Sequence, residues 1–343
     1  MSTKSQLHQR RVAAEFIRNC KIDAGPCRGP RCVATWIREN LSPDHTPRRT
    51  GGYHPVRSAG GGAFMRCVLL ALVLTLLTAA ALGDDPVADK SGFTLFNPTP
   101  EADLRAFSTD RPPKANSPYT VDAGHFQYET DVAVFGHGNN EGVRTQSWTV
   151  FDPTLKLGLT NTIDGEVQIT PYESVATTSA GSTTSMAGIG DTFARLKFNF
   201  VGDDAGDFAA AAIPYIKIPT ARSGLGNNAV EGGVILPMSI NAPHGFTVIV
   251  MPEGDYLKDA SDSGYHGVVD FLVNVSHPIN DRWTVYTELF TSQPLNDERP
   301  SYSLDGAFTF VPRPNLQWDF GANYSLNGVG PRIQLYVGLS QRF

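Results

Sequence analysis

Cysteine is absent from the sequence after Cys67, and basic residues are scarce in the same region. All four cysteines precede Asp84, so residues 84–343 form no internal disulfide and depend on backbone pairing and burial for stability. These residues carry sixteen Lys and Arg against thirty Asp and Glu, a net charge of −14. Because nucleic acid binds basic surfaces, this acidic balance excludes nucleic acid as an expected partner.

The first 83 residues differ in composition from the rest. Residues 1–64 carry eleven Lys and Arg against four Asp and Glu and show no sustained apolar periodicity. Residues 65–83 begin with a short basic head, continue as an apolar run and end in small residues, the order of a secretory signal peptide. We therefore expect Met65 to be the initiator and residues 1–64 to be a spurious or disordered extension. The alternative is a basic cytoplasmic arm, which would make residues 67–83 a membrane anchor.

Strict alternation of apolar and polar residues is the main signal after residue 120. In residues 316–327 every second side chain is apolar, and the residues between them are polar or glycine. The apolar face consists of Leu316, Trp318, Phe320, Ala322, Tyr324 and Leu326. The same period places Phe126, Tyr128, Thr130, Val132 and Val134 together on one face of an earlier segment. A period of two predicts β-strands with two different faces.

Twelve such segments follow one another along the chain. We place them near residues 122–135, 147–160, 164–176, 191–201, 208–219, 231–241, 245–257, 267–278, 282–293, 302–312, 316–327 and 332–343. Connections after even-numbered segments are short, and most connections after odd-numbered ones are longer and rich in Gly, Ser and Asn. Strands of about 9–11 residues with this arrangement are typical of a bacterial outer-membrane barrel. The sequence therefore predicts an all-β, antiparallel, up-and-down transmembrane barrel of about 12 strands with both termini in the periplasm.

The two ends of the exported chain carry further signals. Residues 84–119 have no strand pattern and contain six prolines, so we expect a periplasmic tail, with a plug that enters the barrel as the alternative. The last segment is amphipathic and ends at Phe343. A terminal phenylalanine on such a strand resembles the signal by which outer-membrane barrels are recognised for insertion. We therefore expect the barrel assembly machinery and outer-membrane lipid as partners.

Several short motifs point to one family. They are "STDRP" at 108–112, "DAGHFQYET" at 122–130, "GIGDTFARLKFNF" at 188–200, "PYIKIPT" at 214–220 and "YTEL" at 286–289. Together they resemble the family called "putative MetA-pathway of phenol degradation", whose members are labelled transporters, over residues 108–343. The resemblance implies an outer-membrane channel for small, often aromatic or hydrophobic, solutes.

A barrel of twelve strands predicts a narrow lumen lined by the polar face of each strand. The inward-facing candidates for lining or constricting it are His125, Glu129, Asp131, Lys156, Glu166, Arg195, Lys197, Tyr215, Lys217, Asp270, Tyr286, Glu288, Asp305 and Asp319. Cross-barrel ion pairing that stiffens the wall is the structural explanation for these charges. The functional alternative is a constriction in which Arg195, Lys197 and Lys217 form a basic ladder that faces acidic strands and favours polar or zwitterionic solutes.

Other functions have weaker support in the sequence. Ser276 and His277 are the one tempting pair for an outer-membrane hydrolase, but adjacent residues of a strand point to opposite faces. The glycine-containing motif at 188–193 lacks the spacing that nucleotide binding requires. The acidic motif at 202–207 lacks the spacing of a calcium-binding loop, and we expect it to be a solvated turn. We expect no enzyme, cofactor or metal, and a passive channel for uptake or efflux of a small-molecule solute. The alternative is a structural or closed barrel without transport.

Overall fold

The computed structural model describes residues 89–112, 114–140, 142–260 and 264–343. Within these ranges the chain forms one antiparallel sheet whose first strand pairs with both the second and the last, so that the sheet closes into a barrel. The extension expected at 1–64 and the signal peptide expected at 65–83 lie outside the described residues. No helix of the described part of the chain is long and apolar enough to cross a membrane.

Twelve strands form the barrel, as the alternation predicts. Three of them are interrupted, at residues 169–171, 189–191 and 236–237, and each counts once because both of its parts pair with the same neighbouring strand. The strands are β1 (Phe126–Asn140), β2 (Val143–Thr160), β3 (Ile163–Gln168 and Tyr172–Ser179), β4 (Ser182–Gly188 and Thr192–Val201), β5 (Phe208–Ile218), β6 (Glu231–Ile235 and Met238–Ala242), β7 (Phe246–Lys258), β8 (Tyr265–Asn280), β9 (Trp283–Pro294), β10 (Ser301–Arg313), β11 (Leu316–Ser325) and β12 (Ile333–Arg342). Single 3₁₀ turns occupy Glu101–Asp103 and Pro243–Gly245.

Successive strands meet at two rims, and both described ends of the chain lie at the same one. Turns after even-numbered strands are short and form what we call the short-turn rim. At this rim the N–H of Leu95 donates to the carbonyl of Leu159 over 2.8 Å, close to the end of β2. The N–H of Phe343 donates to the carbonyl of Phe126, also over 2.8 Å. The N-terminal part and the C-terminus therefore meet beside the start of β1.

The predicted two-faced strands are clearest in β11. Asp319 and Asn323 are buried inside the barrel, whereas Phe320 and Tyr324 are exposed on the outside. Its register with β12 is unbroken from Leu316 onward, so every second residue keeps its face. The prediction made from residues 316–327 is confirmed for these side chains.

The outward face predicted for Val134 is wrong. In the pairing of β1 with β12, a bulge between Asp131 and Ala133 shifts the alternation by one residue. Val134 therefore points inward and is only 1% exposed, in contact with Ala307 and Tyr336. A bulge inserts one residue without changing the local hydrophobicity, so a period-two pattern does not reveal it.

Two of the long loops expected after odd-numbered strands are instead extensions of the strands. The pairing of β1 with β2 continues to Asn140 and Val143, and that of β3 with β4 continues to Ser179 and Ser182. Residues 180–181 both have positive φ, which makes the β3–β4 connection a tight turn. Beyond the apolar part of the barrel both faces of a strand are polar, so the alternation that reveals strands disappears from the sequence.

An apolar belt surrounds the outside of the barrel. Each of the twelve strands exposes at least one large apolar side chain, among them Leu155, Leu196, Val269, Leu304 and Leu335. A soluble protein would bury such side chains, whereas the wall of a barrel in a lipid bilayer requires them on its outer surface. The charged and polar side chains face the lumen instead.

Candidate functional site: the barrel lumen

The lumen is crossed by residues 105–122, which we call the lumenal segment (residue 113 lies outside the described ranges). The segment enters from the short-turn rim and returns to it directly before β1. Its backbone and side chains contact inward-facing residues of β1, β2, β3, β4, β7, β9, β10 and β11. These strands lie around the whole circumference, so the segment bridges opposite sides of the lumen.

Arg111 joins the segment to β1 and β11. Its Nε and Nη2 atoms donate to the two carboxylate oxygens of Asp319 at 3.0 and 2.8 Å, and Nη2 also donates to Asp131 at 2.8 Å. The guanidinium carbon lies 5.9 Å from the centre of the Tyr336 ring. Two parallel hydrogen bonds to one carboxylate are the strongest geometry available to arginine. The neighbouring carboxylates raise the pKa of Arg111 although burial opposes that shift, so the guanidinium stays charged.

Lys114 makes the equivalent connection to β9 and β10. Its Nζ atom donates to Ser303 at 2.6 Å and to the Asp305 carboxylate. Nζ also lies 4.9 Å from the centre of the Phe290 ring. The carboxylate of Glu288 accepts hydrogen bonds from the backbone N–H groups of Lys114 and of the next residue, both at 3.1 Å. Carboxylates of two adjacent strands thus hold this part of the segment through its side chain and its backbone.

Asp110 binds the opposite side of the lumen. Its carboxylate accepts from Lys156 of β2 at 2.5 Å and from Lys197 of β4 at 2.9 Å. It also accepts the N–H of Ser117 at 2.7 Å, which closes the segment on itself. Burial alone would raise the pKa of Asp110, but the two ammonium groups outweigh burial and hold this pKa well below its usual range.

The base of the segment is fixed at the short-turn rim. The Arg105 guanidinium donates to Asp122 at 3.0 Å and lies 2.5 Å from Asp203, in the turn between β4 and β5. Thr120 donates to the same Asp203 carboxylate from its N–H and its hydroxyl, at 3.0 and 2.6 Å. Burial raises the pKa of Asp203, and Arg105 and Thr120 oppose that shift. The acidic motif at 202–207, expected to be a solvated turn, instead anchors the segment.

Ionisable side chains are distributed unevenly around the lumen. On β2–β5, which we call the mixed wall, cations lie beside carboxylates: Lys197 lies 3.6 Å from Glu166, and Lys217 lies 3.2 Å from Asp191. On β6–β12, which we call the acidic wall, every Lys and Arg of the described sequence lies at a strand end or in a turn. The buried carboxylates of the acidic wall are Glu231, Glu253, Asp255, Asp270, Glu288, Asp305 and Asp319.

Three of these carboxylates form a cluster on β7 and β8. Oxygen atoms of Glu253, Asp255 and Asp270 lie within 4.8 Å of one another. The Tyr215 hydroxyl, which projects from β5, donates to Asp255 at 2.5 Å. Carboxylates this close repel one another, and hydrogen bonds such as that from Tyr215 offset part of the repulsion.

Twelve of the fourteen residues predicted for the lumen are buried inside the barrel. They are Glu129, Asp131, Lys156, Glu166, Arg195, Lys197, Tyr215, Lys217, Asp270, Glu288, Asp305 and Asp319. Tyr286 is partly buried beside the cluster that contains Val134. His125 precedes β1 rather than lying in it, and its ring nitrogens lie 2.8 Å from the carbonyl of Thr99 and 3.1 Å from that of Phe343. His125 therefore joins Thr99 to Phe343 at the rim.

The cations expected to form a basic ladder each have a partner nearby. Lys197 binds Asp110, Lys217 lies 3.0 Å from Glu231, and the Arg195 guanidinium lies 3.7 Å from Glu166. Their charges are balanced by carboxylates of the mixed wall, of the lumenal segment and, for Lys217, also of β6. A field directed across the lumen from these three residues is therefore weaker than the sequence suggests.

Sequence reasoning missed Asp110, Arg111 and Lys114, because their segment has neither strand nor helix periodicity. One signal for them was present. Residues 231–343 supply carboxylates at inward positions of several strands but place their Lys and Arg only at strand ends and in turns. Because buried carboxylates require partners, cations for this side had to come from another part of the chain.

The pair considered for hydrolysis does not assemble. Ser276 is buried toward the lumen, whereas the ring of His277 stacks on Phe246, with ring centres 4.5 Å apart. Phe246 is exposed on the outside of the barrel. A nucleophile and its base must lie within hydrogen-bond reach, so Ser276 and His277 cannot act together.

A closed twelve-stranded barrel with an apolar outer belt and a charged lumen belongs to the class of outer-membrane β-barrels. Residues 109–343 match the family described as "Putative MetA-pathway of phenol degradation", and the chain belongs to this family. The resemblance seen in the sequence motifs is thereby confirmed. A search of the curated proteins finds no matching sequence.

Similar folds occur among solved structures. The COG4313 outer membrane channel from Pseudomonas putida F1 is similar with a TM-score of 0.53 at 12% identity, covering 68% of this chain and 100% of that chain. The translocator domain of autotransporter NalP from Neisseria meningitidis has a TM-score of 0.44 at 13% identity, covering 64% of this chain and 88% of that chain. The CymD monoaromatic hydrocarbon channel has a TM-score of 0.33 at 11% identity, covering 64% of this chain and 87% of that chain. The first of these supports the barrel fold.

Proposed function

We propose that the protein is an outer-membrane channel for passive movement of a small solute, and that the lumenal segment is the plug that closes it. The observation that carries this proposal is the bridging of opposite walls by Asp110, Arg111 and Lys114. These residues occupy the path that a solute would take. Their contacts favour a plug over a periplasmic tail for this part of residues 84–119.

The nature of the contacts supports reversible closure. The segment is held mainly by ion pairs and hydrogen bonds to side chains, which water can replace when the segment moves. The wall closes through pairing of β1 with β2 and β12, without any strand from the segment. The plug can therefore leave the lumen without opening the barrel.

The orientation follows from the loops. We propose that the short-turn rim faces the periplasm, as it does in outer-membrane barrels generally. The plug then enters from the periplasmic side, and Phe343 lies where the barrel assembly machinery would bind the last strand. Outer-membrane lipid covers the apolar belt.

A channel accounts for the lumen better than an enzyme does. Ser276 and His277 point to opposite faces of β8, and the charged groups of the lumen bind one another rather than forming an activated nucleophile.

The remaining alternative is a closed structural barrel, which differs from a channel only in whether the plug moves. The description of the family names phenol degradation, so small aromatic compounds belong among the solutes tested.

The test locks the plug to the wall in the full chain, with the four native cysteines replaced by serine. The backbone N of Asn116 lies 3.3 Å from Sδ of Met251, so Asn116→Cys/Met251→Cys places two thiols near each other. In planar bilayers we expect discrete conductance steps under reducing conditions and silence after oxidation. Phenol, benzoate and simple salts are then compared as permeants. The single Asn116→Cys variant is the control and should not respond to oxidation.

The outcomes separate the alternatives. Equal conductance of the reduced and oxidised pair, with the disulfide verified by mass spectrometry, would contradict the plug. Silence under both conditions, also after removal of the plug's ion pairs by substitution, would contradict the channel and favour a closed structural barrel.

A further inference from the structure

We infer that the solute is an organic cation of the guanidinium or amine type, and that Arg111 occupies its binding site while the channel is closed. This inference rests on the proposed function, because it requires the plug to leave the lumen. It is carried by the construction of the Arg111 site, by a second site of the same construction around Lys114, and by the charge of the acidic wall.

The Arg111 site binds a planar cation through its edge. Asp319 accepts two parallel hydrogen bonds, from Nε and Nη2, and Asp131 accepts a third, also from Nη2. Asp319 and Asp131 are 0% and 1% exposed, so their positions are fixed by the surrounding barrel. A fork of N–H donors matches this arrangement, and a compact or neutral group does not.

The barrel wall also provides groups that suit the flat face of the cation. The Tyr336 ring centre lies 5.9 Å from the guanidinium carbon. On β12, Gly338 leaves the space that the guanidinium needs, since a Cβ at this position would lie 2.1 Å from Nη2 of Arg111. Carboxylates at the edge, an aromatic ring near the face and a glycine in the wall together define a site for a flat cation.

Lys114 occupies a second site with the same components. Its ammonium group binds the carboxylate of Asp305 and lies 4.9 Å from the centre of the Phe290 ring. Combining a carboxylate with an aromatic ring is the usual way in which proteins bind organic cations. The repetition of this combination on neighbouring parts of the wall favours a path for cations over an isolated ion pair.

The rest of the acidic wall extends this path. The carboxylates of Glu253, Asp255 and Asp270 project into the lumen from β7 and β8, and no Lys or Arg lies at an inward position between the ends of β6–β12. A narrow passage with carboxylates on one side raises the local concentration of cations and repels anions. Solutes with a negative charge are therefore disfavoured on this side of the lumen.

The test empties the site and refills it. In the full chain, Arg111→Ala removes the guanidinium but keeps both carboxylates, Tyr336 and Gly338. Methylguanidinium, which reproduces the lost head group, is added to planar bilayers at millimolar concentration, and urea serves as an uncharged group of similar shape. We expect cation-selective steps that methylguanidinium blocks at a concentration about tenfold or more below that of urea. Arg111→Ala/Asp319→Asn should lose the difference between methylguanidinium and urea. Arg282→Ala, at an exposed turn, is the control and should show the same conductance and the same response to methylguanidinium as the wild type.

A binding assay that does not measure current tests the cation site independently of channel activity. Methylguanidinium should raise the thermal unfolding midpoint of Arg111→Ala in detergent, and should leave that of Arg111→Ala/Asp319→Asn unchanged. Anion-selective steps, or equal effects of methylguanidinium and urea in both assays, would overturn the cation site and leave the channel standing. A raised midpoint together with silent bilayers would contradict the channel and retain the cation-binding site.

Discussion

On the mixed wall, Lys197 and Lys217 contact carboxylates of their own and neighbouring strands, whereas on the acidic wall Asp305 and Asp319 contact cations that arrive on a separate segment. The two walls therefore depend differently on the plug. The mixed wall keeps internal ion pairs when the plug leaves. We expect the acidic wall to lose the partners of two carboxylates and so to attract cations. Under the proposed function, the mixed wall provides stability, and the acidic wall provides the binding sites on which closure and selectivity depend.

The largest expected effect comes from breaking the mixed wall. Lys197 is 1% exposed and contacts both Asp110 and Glu166. Lys197→Met removes one cation from each of these buried carboxylates while Lys156 stays beside both, and we expect this to cost roughly 3 kcal/mol of unfolding free energy. Urea unfolding in detergent measures this loss. Lys258→Met at the end of β7 is the control and should change stability by about 1 kcal/mol or less. Equal losses in both variants would show that the mixed wall is not held by its ion pairs.

The same substitution on the plug should affect closure more than stability. Lys114→Met removes the cation beside Asp305, but that carboxylate can become hydrated when the segment moves away. We expect a loss of about 1–3 kcal/mol in unfolding free energy and a larger fraction of open time in planar bilayers. If Lys114→Met destabilises the barrel as much as Lys197→Met and does not increase the open time, the distinction between the two walls is wrong.

A smaller effect on stability and on channel opening is expected when a substitution displaces the plug without changing any charge. Gly338→Ala places a Cβ 2.1 Å from Nη2 of Arg111, so the guanidinium must shift. We expect more frequent opening, with a stability cost of about 1 kcal/mol. Gly306→Ala is the matched control, because the atom nearest to its new Cβ is 3.9 Å away. Identical opening of the two variants would argue that Arg111 does not hold the plug.

The smallest effect is expected from pH. The pKa of Asp110 is lowered in the folded protein, so its stabilising contribution is fully present above the ordinary aspartate value of about 4. That contribution is lost only when the pH falls through the lowered value. Asp110→Asn should therefore leave any difference in closed fraction between pH 8 and pH 5 unchanged in bilayer recordings. Opening that begins between these values in the wild type, and is absent from Asp110→Asn, would contradict the charge state assigned to Asp110.

The architecture was predictable because lipid on one side and water on the other impose a period of two on every strand. Phe320 and Asp319 face opposite sides for this reason, and twelve strands follow from counting such segments. The orientation of Val134 was predicted wrongly because a bulge shifts the period without changing the composition. The tight turn at 180–181 was not predicted because that part of the strands is polar on both faces.

The lumen residues were predictable individually but not as a site. Alternation identifies Asp305 and Asp319 as inward-facing, yet it does not show what they bind. Their partners, Lys114 and Arg111, lie in an aperiodic segment about 190 and 208 residues away in sequence. Such pairing depends on the closed shape of the barrel, and local sequence patterns carry no information about it.

Closure by the plug is tested most directly by its placement in the membrane-inserted protein. The measurement is the disulfide yield of Asn116→Cys/Met251→Cys in the full chain after mild oxidation in bilayers, determined by mass spectrometry. We expect a high yield of this one disulfide, with both thiols protected from a water-soluble alkylating reagent before oxidation. Two freely alkylated thiols and no disulfide would place the segment outside the lumen and contradict closure by the plug.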